Sequence, residues 1–285
     1  MNNRHLSALG PTSLFVLLWS SGTIVSEIGL HHGSPFALLA LRYVTALAVL
    51  VPFALSNGKL LPARGTRLRV ATIGLAISGL YSTCYLLALD HGVTPGALAT
   101  MLGVQPILTL FVTERKVTPL RMAGLLLALG GLALIVSDGL LSMRLQMLGV
   151  VFALVSLVGI TYGSILQKRE TQAPWEMLPL QYIVGLATIA MIAPFGDFRV
   201  STDIGFIGPV LWLGLVISVG ATFLLYRLIA RGNLVNVTSL FYLVPAVTAA
   251  MDWVFLGNPM SHLALAGLAL TIIGLALVFR QKAAS

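Results

Sequence analysis

Apolar runs long enough to cross a lipid bilayer follow one another along the whole of this chain. They cover residues 12–30, 35–56, 68–89, 94–113, 119–137, 147–167, 177–195, 205–230, 234–256 and 262–279. A helix needs about 20 residues to traverse roughly 30 Å of hydrocarbon. Inside lipid the backbone must satisfy its own N–H and C=O groups, so ten such runs predict ten transmembrane helices and an all-α integral membrane protein. Pro35, Pro95, Pro119, Pro179 and Pro209 fall at or near predicted helix starts, where a missing N–H costs nothing. Only 9% of the 285 residues are charged, against about 25% in a typical soluble domain, so lipid must cover what charge cannot. The connections are too short to hold a soluble domain. Arg4 precedes the first run without a small-residue cleavage pattern behind it, so that run reads as a retained span.

The charges that remain are placed by side. Of the 17 lysines and arginines, all but Arg42, Arg144 and Arg199 lie at the N-terminus, at the ends of even-numbered runs, or at the starts of the odd runs after them. That asymmetry puts both termini in the cytoplasm, as in a bacterial-type inner membrane. It also accounts for the net charge of +8 without a nucleic-acid partner. The lone cysteine, Cys84, allows no disulfide framework, and His5, His31, His32, His91 and His262 make no metal spacing, so no cofactor or metal is expected. The NVT sequon at 236–238 lies inside a span and is not a glycosylation site.

The chain repeats itself. AGLLLALGGLALIV (123–136) and AGLALTIIGLALVF (266–279) align without a gap and match at eight of fourteen positions. Upstream of each stands a mid-span proline, Pro106 in GVQPILTL and Pro245 in YLVPAVTA, read here as hinges. YLLALDHG (85–92) parallels YRLIARGN (226–233), and LRYVTALAVLVPF (41–53) parallels LQYIVGLATIAMIAPF (180–195). Two repeats follow, residues 1–140 and 141–285, each of five spans. An odd number of spans turns the second copy upside down, an architecture used by secondary transporters with a site near the midplane. Gly124, Gly131, Gly267 and Gly274 recur at seven-residue spacing and are expected to serve close helix packing.

The stretches LLALDHGVTPGALATMLGVQPILTL, FYLVPAVTAAMDWVFLGNPMSHLALAGLALTIIGLALV and LALRYVTALAVL resemble the drug/metabolite transporter superfamily, EamA branch, over essentially the whole chain. As a whole the sequence is similar to the YddG-type amino-acid exporters. The resemblance implies two five-helix copies and metabolite export, and places Arg42 on an arginine common in the family's second helix. Asn258 stands where the second copy of the family carries a glutamate.

Glu27, Arg42 and Asp252 are charged residues within spans, each costing about 2.5–3.5 kcal/mol at a helix centre. Counted from the helix ends, all three fall in the outer third. Glu27 and Arg42 are expected to pair across the first helical hairpin, or else to take part in coupling. At midplane depth lie neutral polar and aromatic groups: Trp19, Ser20 and Ser21; Tyr81, Thr83 and Tyr85; Met101 and Gln105; Tyr162; Ser218 and Thr222; Tyr242. Of these Trp19, Ser20, Tyr81, Tyr85, Met101, Gln105, Tyr162 and Tyr242 are the candidate substrate-binding set. Ser20-Ser21-Gly22 leaves backbone bare, either for a polar substrate or for tight packing.

An aromatic, neutral-polar cavity suits a zwitterion, whereas an exporter of cationic drugs would be expected to keep a carboxylate at the membrane centre. No nucleotide-binding motif supports a primary pump, and no HExxH or Ser/His pairing supports an intramembrane enzyme. The reading is a monomeric ten-helix secondary transporter that exports small amphipathic metabolites, amino acids foremost, by alternating access. A multidrug exporter and a channel are the alternatives.

Overall fold

Helices form where the apolar runs predict them. The computed structural model describes residues 3–114, 117–137, 147–247 and 261–280, with no side-chain description for residues 3–9. The helices are α1 (Asn3–His32), α2 (Pro35–Ser56), α3 (Arg67–Asp90), α4 (Pro95–Thr113) and α5 (Pro119–Ile135), then α6 (Met147–Gln167), α7 (Pro174–Phe195), α8 (Ile204–Arg231), α9 (Leu234–Val247) and α10 (His262–Arg280). Eight are long and apolar enough to cross a membrane, and α5 and α9 are shorter apolar helices within the described residues. Polar caps set several starts. Ser34, Thr94, Asp203 and Asn233 each accept a hydrogen bond from a backbone N–H of the first turn, supplying what the helix cannot satisfy itself. Pro179 and Pro209 lie past the first turns of α7 and α8, not at the starts.

Packing follows the repeat. Taking each helix of the first copy with the one five places later, α5 packs on α10, α2 on α7 and α4 on α9, while α1–α8 contact is answered by α3–α6 contact. The α5–α10 seam shows the inversion directly. A Cβ on Gly131 would sit 2.6 Å from the Gly267 carbonyl oxygen, and one on Gly124 would sit 2.8 Å from that of Gly274. Gly124 thus meets the counterpart of Gly131, and Gly131 the counterpart of Gly124, which is what an antiparallel pair related by a two-fold axis requires. Ala128 and Thr271, equivalent in the alignment, face each other across the centre, with Thr271 Oγ1 3.5 Å from the Ala128 carbonyl oxygen.

The same axis passes through Tyr43 and Tyr182, matching positions of the second and seventh helices. Their rings stack with centroids 4.9 Å apart and planes at 18°. Each hydroxyl donates to a carbonyl in its own repeat, Tyr43 to Ser78 and Tyr182 to Ser218. In an inverted repeat this axis lies in the membrane plane. Two equivalent rings touching across it must straddle the midplane, each within half of 4.9 Å of it. Arg42 is next in the chain, its guanidinium carbon 6.0 Å from the Tyr43 ring centroid. Arg42 is therefore near the bilayer centre and not in the outer third, because the axis crosses α2 within its first half.

Both copies also depart from regular helix at matching places. α3 is π-helical over Leu75–Tyr81 and α8 over Trp212–Ala221. Ser82 Oγ and Thr222 Oγ1 each reach back five residues, to the carbonyls of Ile77 and Ile217, at 2.9 Å. α4 breaks at Gly103–Val104, just before Gln105-Pro106, and α9 tightens to a 3-10 turn at Leu240–Tyr242, ahead of Pro245. Such irregular turns gather where function needs them.

Candidate functional site

The π-helical segments of α3 and α8, with α1, α2, α6 and α7, line a deep, narrow chamber of about 60 Å³ on the two-fold axis. Of the chain's seven tyrosines, all but Tyr162 and Tyr242 line it. The chamber continues past Trp19, Thr23, Tyr81 and Tyr85 into a wider vestibule of about 450 Å³ between α1, α3, α4, α5, α6 and α9. Gln105, Phe241 and Pro245 border the vestibule. Glu27 stands in its outer part and also lines a further recess formed by His31 and the α3–α4 turn, Asp90 to Pro95. A path therefore leads from the axis to the end of the molecule where α1 and α3 finish. Trp19 and Phe241 pack edge to face with ring centroids 5.4 Å apart, giving the vestibule an aromatic wall.

Trp19, Tyr81, Tyr85 and Gln105 from the sequence-predicted set meet here. Gln105 is buried and its Nε2 lies 3.4 Å from Ser164 Oγ. The others do not meet. Tyr162 is on the outer face of α6 with 51% of its surface exposed, where lipid solvates the ring. Tyr242 is fully buried between α4, α5 and α10, among Leu110, Leu125 and Leu275. Met101 packs with the cluster that holds Ala97 and Leu98, on the face of α4 turned away from Ala99, Leu102 and Gly103, which border the vestibule. Ser20 is spent on its own helix and on α9, donating toward the carbonyls of Val16 (2.7 Å) and Val244 (3.2 Å). Gly22, beside it, does line the chamber, so the bare stretch serves packing at Ser20 and the cavity at Gly22. Asp252 lies outside the described residues.

Sequence depth alone missed Thr23, Ser26, Tyr43, Tyr182 and Tyr226. The available signal was the paired segments, which put Tyr43 opposite Tyr182 and Tyr85 opposite Tyr226. The expected Glu27–Arg42 ion pair is not among the contacts of the described residues. Arg42 Nε instead donates to Ser218 Oγ at 2.7 Å. The helical hairpin brings the backbones together but directs Arg42 to the axis and Glu27 to the vestibule mouth.

The opposite end of the molecule is tied shut. Arg121, only 2% exposed, donates from Nη1 to Glu114 Oε1 at 2.6 Å and from Nη2 to Asn233 Oδ1 and Asn236 Oδ1 at 2.7 Å each. Asn233 Nδ2 completes the ring to Glu114 at 3.2 Å. This network joins the α4–α5 turn of the first repeat to the α8–α9 turn of the second. Nearby, Lys59 pairs with Glu176 at 2.9 Å and Arg69 with Glu170 at 3.3 Å. Lys168 caps the end of α8 by donating to the carbonyls of Ile229 and Gly232, and its burial lowers the pKa of the ammonium.

A family model for the EamA-like transporter family matches the chain twice, over residues 12–137 and 146–280. The chain belongs to the EamA-like transporter family. The first match ends after α5 and the second begins before α6. EamA relatives include a probable amino-acid metabolite efflux pump of Salmonella typhimurium, 25% identical over 92% of this chain and 91% of that protein. The inner membrane transporter YedA of Escherichia coli is 23% identical over 97% of this chain and 92% of that one. A solved crystal structure, 21% identical, superposes with a TM-score of 0.73 over 95% of this chain and 96% of the other, so the fold is shared. The protein is thus a multi-pass membrane transporter and not an enzyme.

Proposed function

We propose that this transporter exports small amphipathic metabolites, amino acids foremost, as a monomer and by alternating access between residues 1–140 and 141–285. The observation that carries the reading is a chamber on the two-fold axis that connects to one end of the molecule while buried hydrogen-bonded charges close the other. Two repeats related by such an axis can exchange the open and closed ends by rocking about the site. The relative named as an amino-acid metabolite efflux pump supports the substrate class. The charge bias supports an orientation with both termini cytoplasmic, which makes the connected end extracytoplasmic. The chamber's aromatic rings suit an apolar side chain, and its hydroxyls suit the polar end of an amino acid. Among the described residues its one charged lining residue, Arg42, is a cation, which disfavours cationic drugs.

Counterflow tests this. Proteoliposomes preloaded with one unlabelled amino acid should accumulate the same labelled amino acid transiently, and repeating the assay with a pH gradient shows whether protons drive the cycle. Steady leakage without counterflow would identify a channel. No movement of any amino acid would overturn the substrate class.

A further inference from the structure

Both repeats line the chamber, the first with more residues than the second, and one matched pair of positions differs in charge. Arg42 and Gln181 occupy matching positions, each just before a tyrosine of the axial stack. Gln181 is fully buried and its amide is engaged on both sides. It accepts from Tyr226 Oη at 2.6 Å and donates to Gln167 Oε1 at 3.2 Å. Arg42 is only part-buried and lines the chamber. Its Nε is held by Ser218 Oγ at 2.7 Å, while neither Nη nitrogen has a hydrogen-bond partner among the described residues. No carboxylate of the described residues lies within ion-pair distance of it. Near a bilayer centre a guanidinium without a counter-ion is costly, and such residues mark substrate pathways. A planar fork with its outer edge free matches a carboxylate in a bidentate pair. Ser218 fixes the inner edge of that fork, so the plane is oriented before anything binds.

We propose that Arg42 anchors the carboxylate of the transported substrate, and that the protein selects organic carboxylates with an apolar or aromatic side chain over their amides and amines. This rests on the transport reading above and deepens its substrate class. Stacked tyrosines close the chamber around the anchor, leaving the substrate's side chain to point toward Trp19 and the vestibule.

The test uses purified full-length protein and three probes: phenylalanine, phenylalanine amide and 3-phenylpropionate, with leucine, leucine amide and 4-methylpentanoate as a smaller series. Ligand protection against thermal unfolding is measured alongside counterflow. Acids should protect the parent protein and amides should not, whereas chloride or inorganic phosphate should give no comparable protection. Arg42→Gln should weaken acid binding about ten- to a hundredfold, the loss expected for one charge-assisted pair, and should abolish the preference over amides. Arg42→Lys, which keeps the charge without the fork, should fall between. Ser218→Ala should weaken acids a few-fold and leave amides unchanged, a difference that general unfolding cannot produce. If parent protein binds the amides as tightly as the acids, or if inorganic anions protect equally, the anchor is overturned. The same holds if a folded Arg42→Gln variant keeps parental affinity for the acids. Protection by 3-phenylpropionate and 4-methylpentanoate without phenylalanine or leucine would sink the amino-acid reading and leave the anchor standing. Protection by none of the acids would overturn the anchor itself.

Discussion

Tyr242 shows how far depth in a helix falls short of identifying a site. Its position in the ninth span is level with the chamber, yet the 3-10 turn at Leu240–Tyr242 rotates the ring into the α4–α5–α10 contact. There its hydroxyl has no hydrogen-bond partner among the described residues. An unsatisfied buried hydroxyl carries its desolvation cost without return, so Tyr242→Phe should raise stability by about 1 kcal/mol. A higher thermal unfolding midpoint with unchanged counterflow is the expected result, and a lowered midpoint would mean that the hydroxyl has a role in the fold. Trp19, Tyr81, Tyr85 and Gln105 were legible because their helices keep their faces toward the axis. Met101 and Tyr242 were not, since depth along a span does not say which face of the helix meets the cavity. Arg42 was legible as a charge within a span but not as one without a carboxylate partner among the described residues, because pairing depends on side-chain direction across helices.

At the scale of helices, hydropathy was sufficient for the element list within the described residues, as lipid forces every apolar run of this length into a helix. Pro35, Pro95 and Pro119 marked the starts of α2, α4 and α5, whereas Pro179 and Pro209 did not mark those of α7 and α8. The π-helical segments of α3 and α8 were not visible, because nothing in LAISGLY or WLGLVISVGA breaks an ordinary helical pattern. The glycine spacing, in contrast, specified a contact. Two adjacent glycines of α5 make that reading testable. Gly131 faces Gly267, and any Cβ there would lie 2.6 Å from the Gly267 carbonyl oxygen and from the Thr271 backbone nitrogen. Gly130 has nothing within 4 Å of its hypothetical Cβ. Gly130→Ala should therefore be neutral or stabilise by up to about 1 kcal/mol through helix propensity. Gly131→Ala should destabilise despite the same gain, since α5 and α10 would have to separate along both backbones. Detergent-solubilised yield and unfolding midpoint report both. Equal behaviour of the two variants would show that the seam is not close-packed in the membrane.

For the whole molecule, the alternating-access cycle proposed above gives the Glu114–Arg121–Asn233–Asn236 ring the role of a lock at the closed end. Alternating access requires the ring to break in each cycle, because it spans the two repeats. Glu114→Gln leaves Arg121 buried without its counter-charge, and losing one partner of a buried pair costs about 3–5 kcal/mol. Only the closed end contains that pair, so the cost falls on one conformation and the population moves toward the other. A shift of about 5.5 kcal/mol would be enough to convert a 99:1 distribution to its inverse, so a partial redistribution is expected here. Thr23, which lines both chamber and vestibule, provides the reporter as Thr23→Cys in a Cys84→Ala background. In that background a membrane-impermeant maleimide should label residue 23 from the extracytoplasmic side. Adding Glu114→Gln should slow that labelling several-fold and allow labelling from the cytoplasmic side. Labelling first from the cytoplasmic side, before Glu114 is changed, would reverse the assigned orientation. Unchanged accessibility in the Glu114→Gln variant would show that the ring stabilises the fold without gating it.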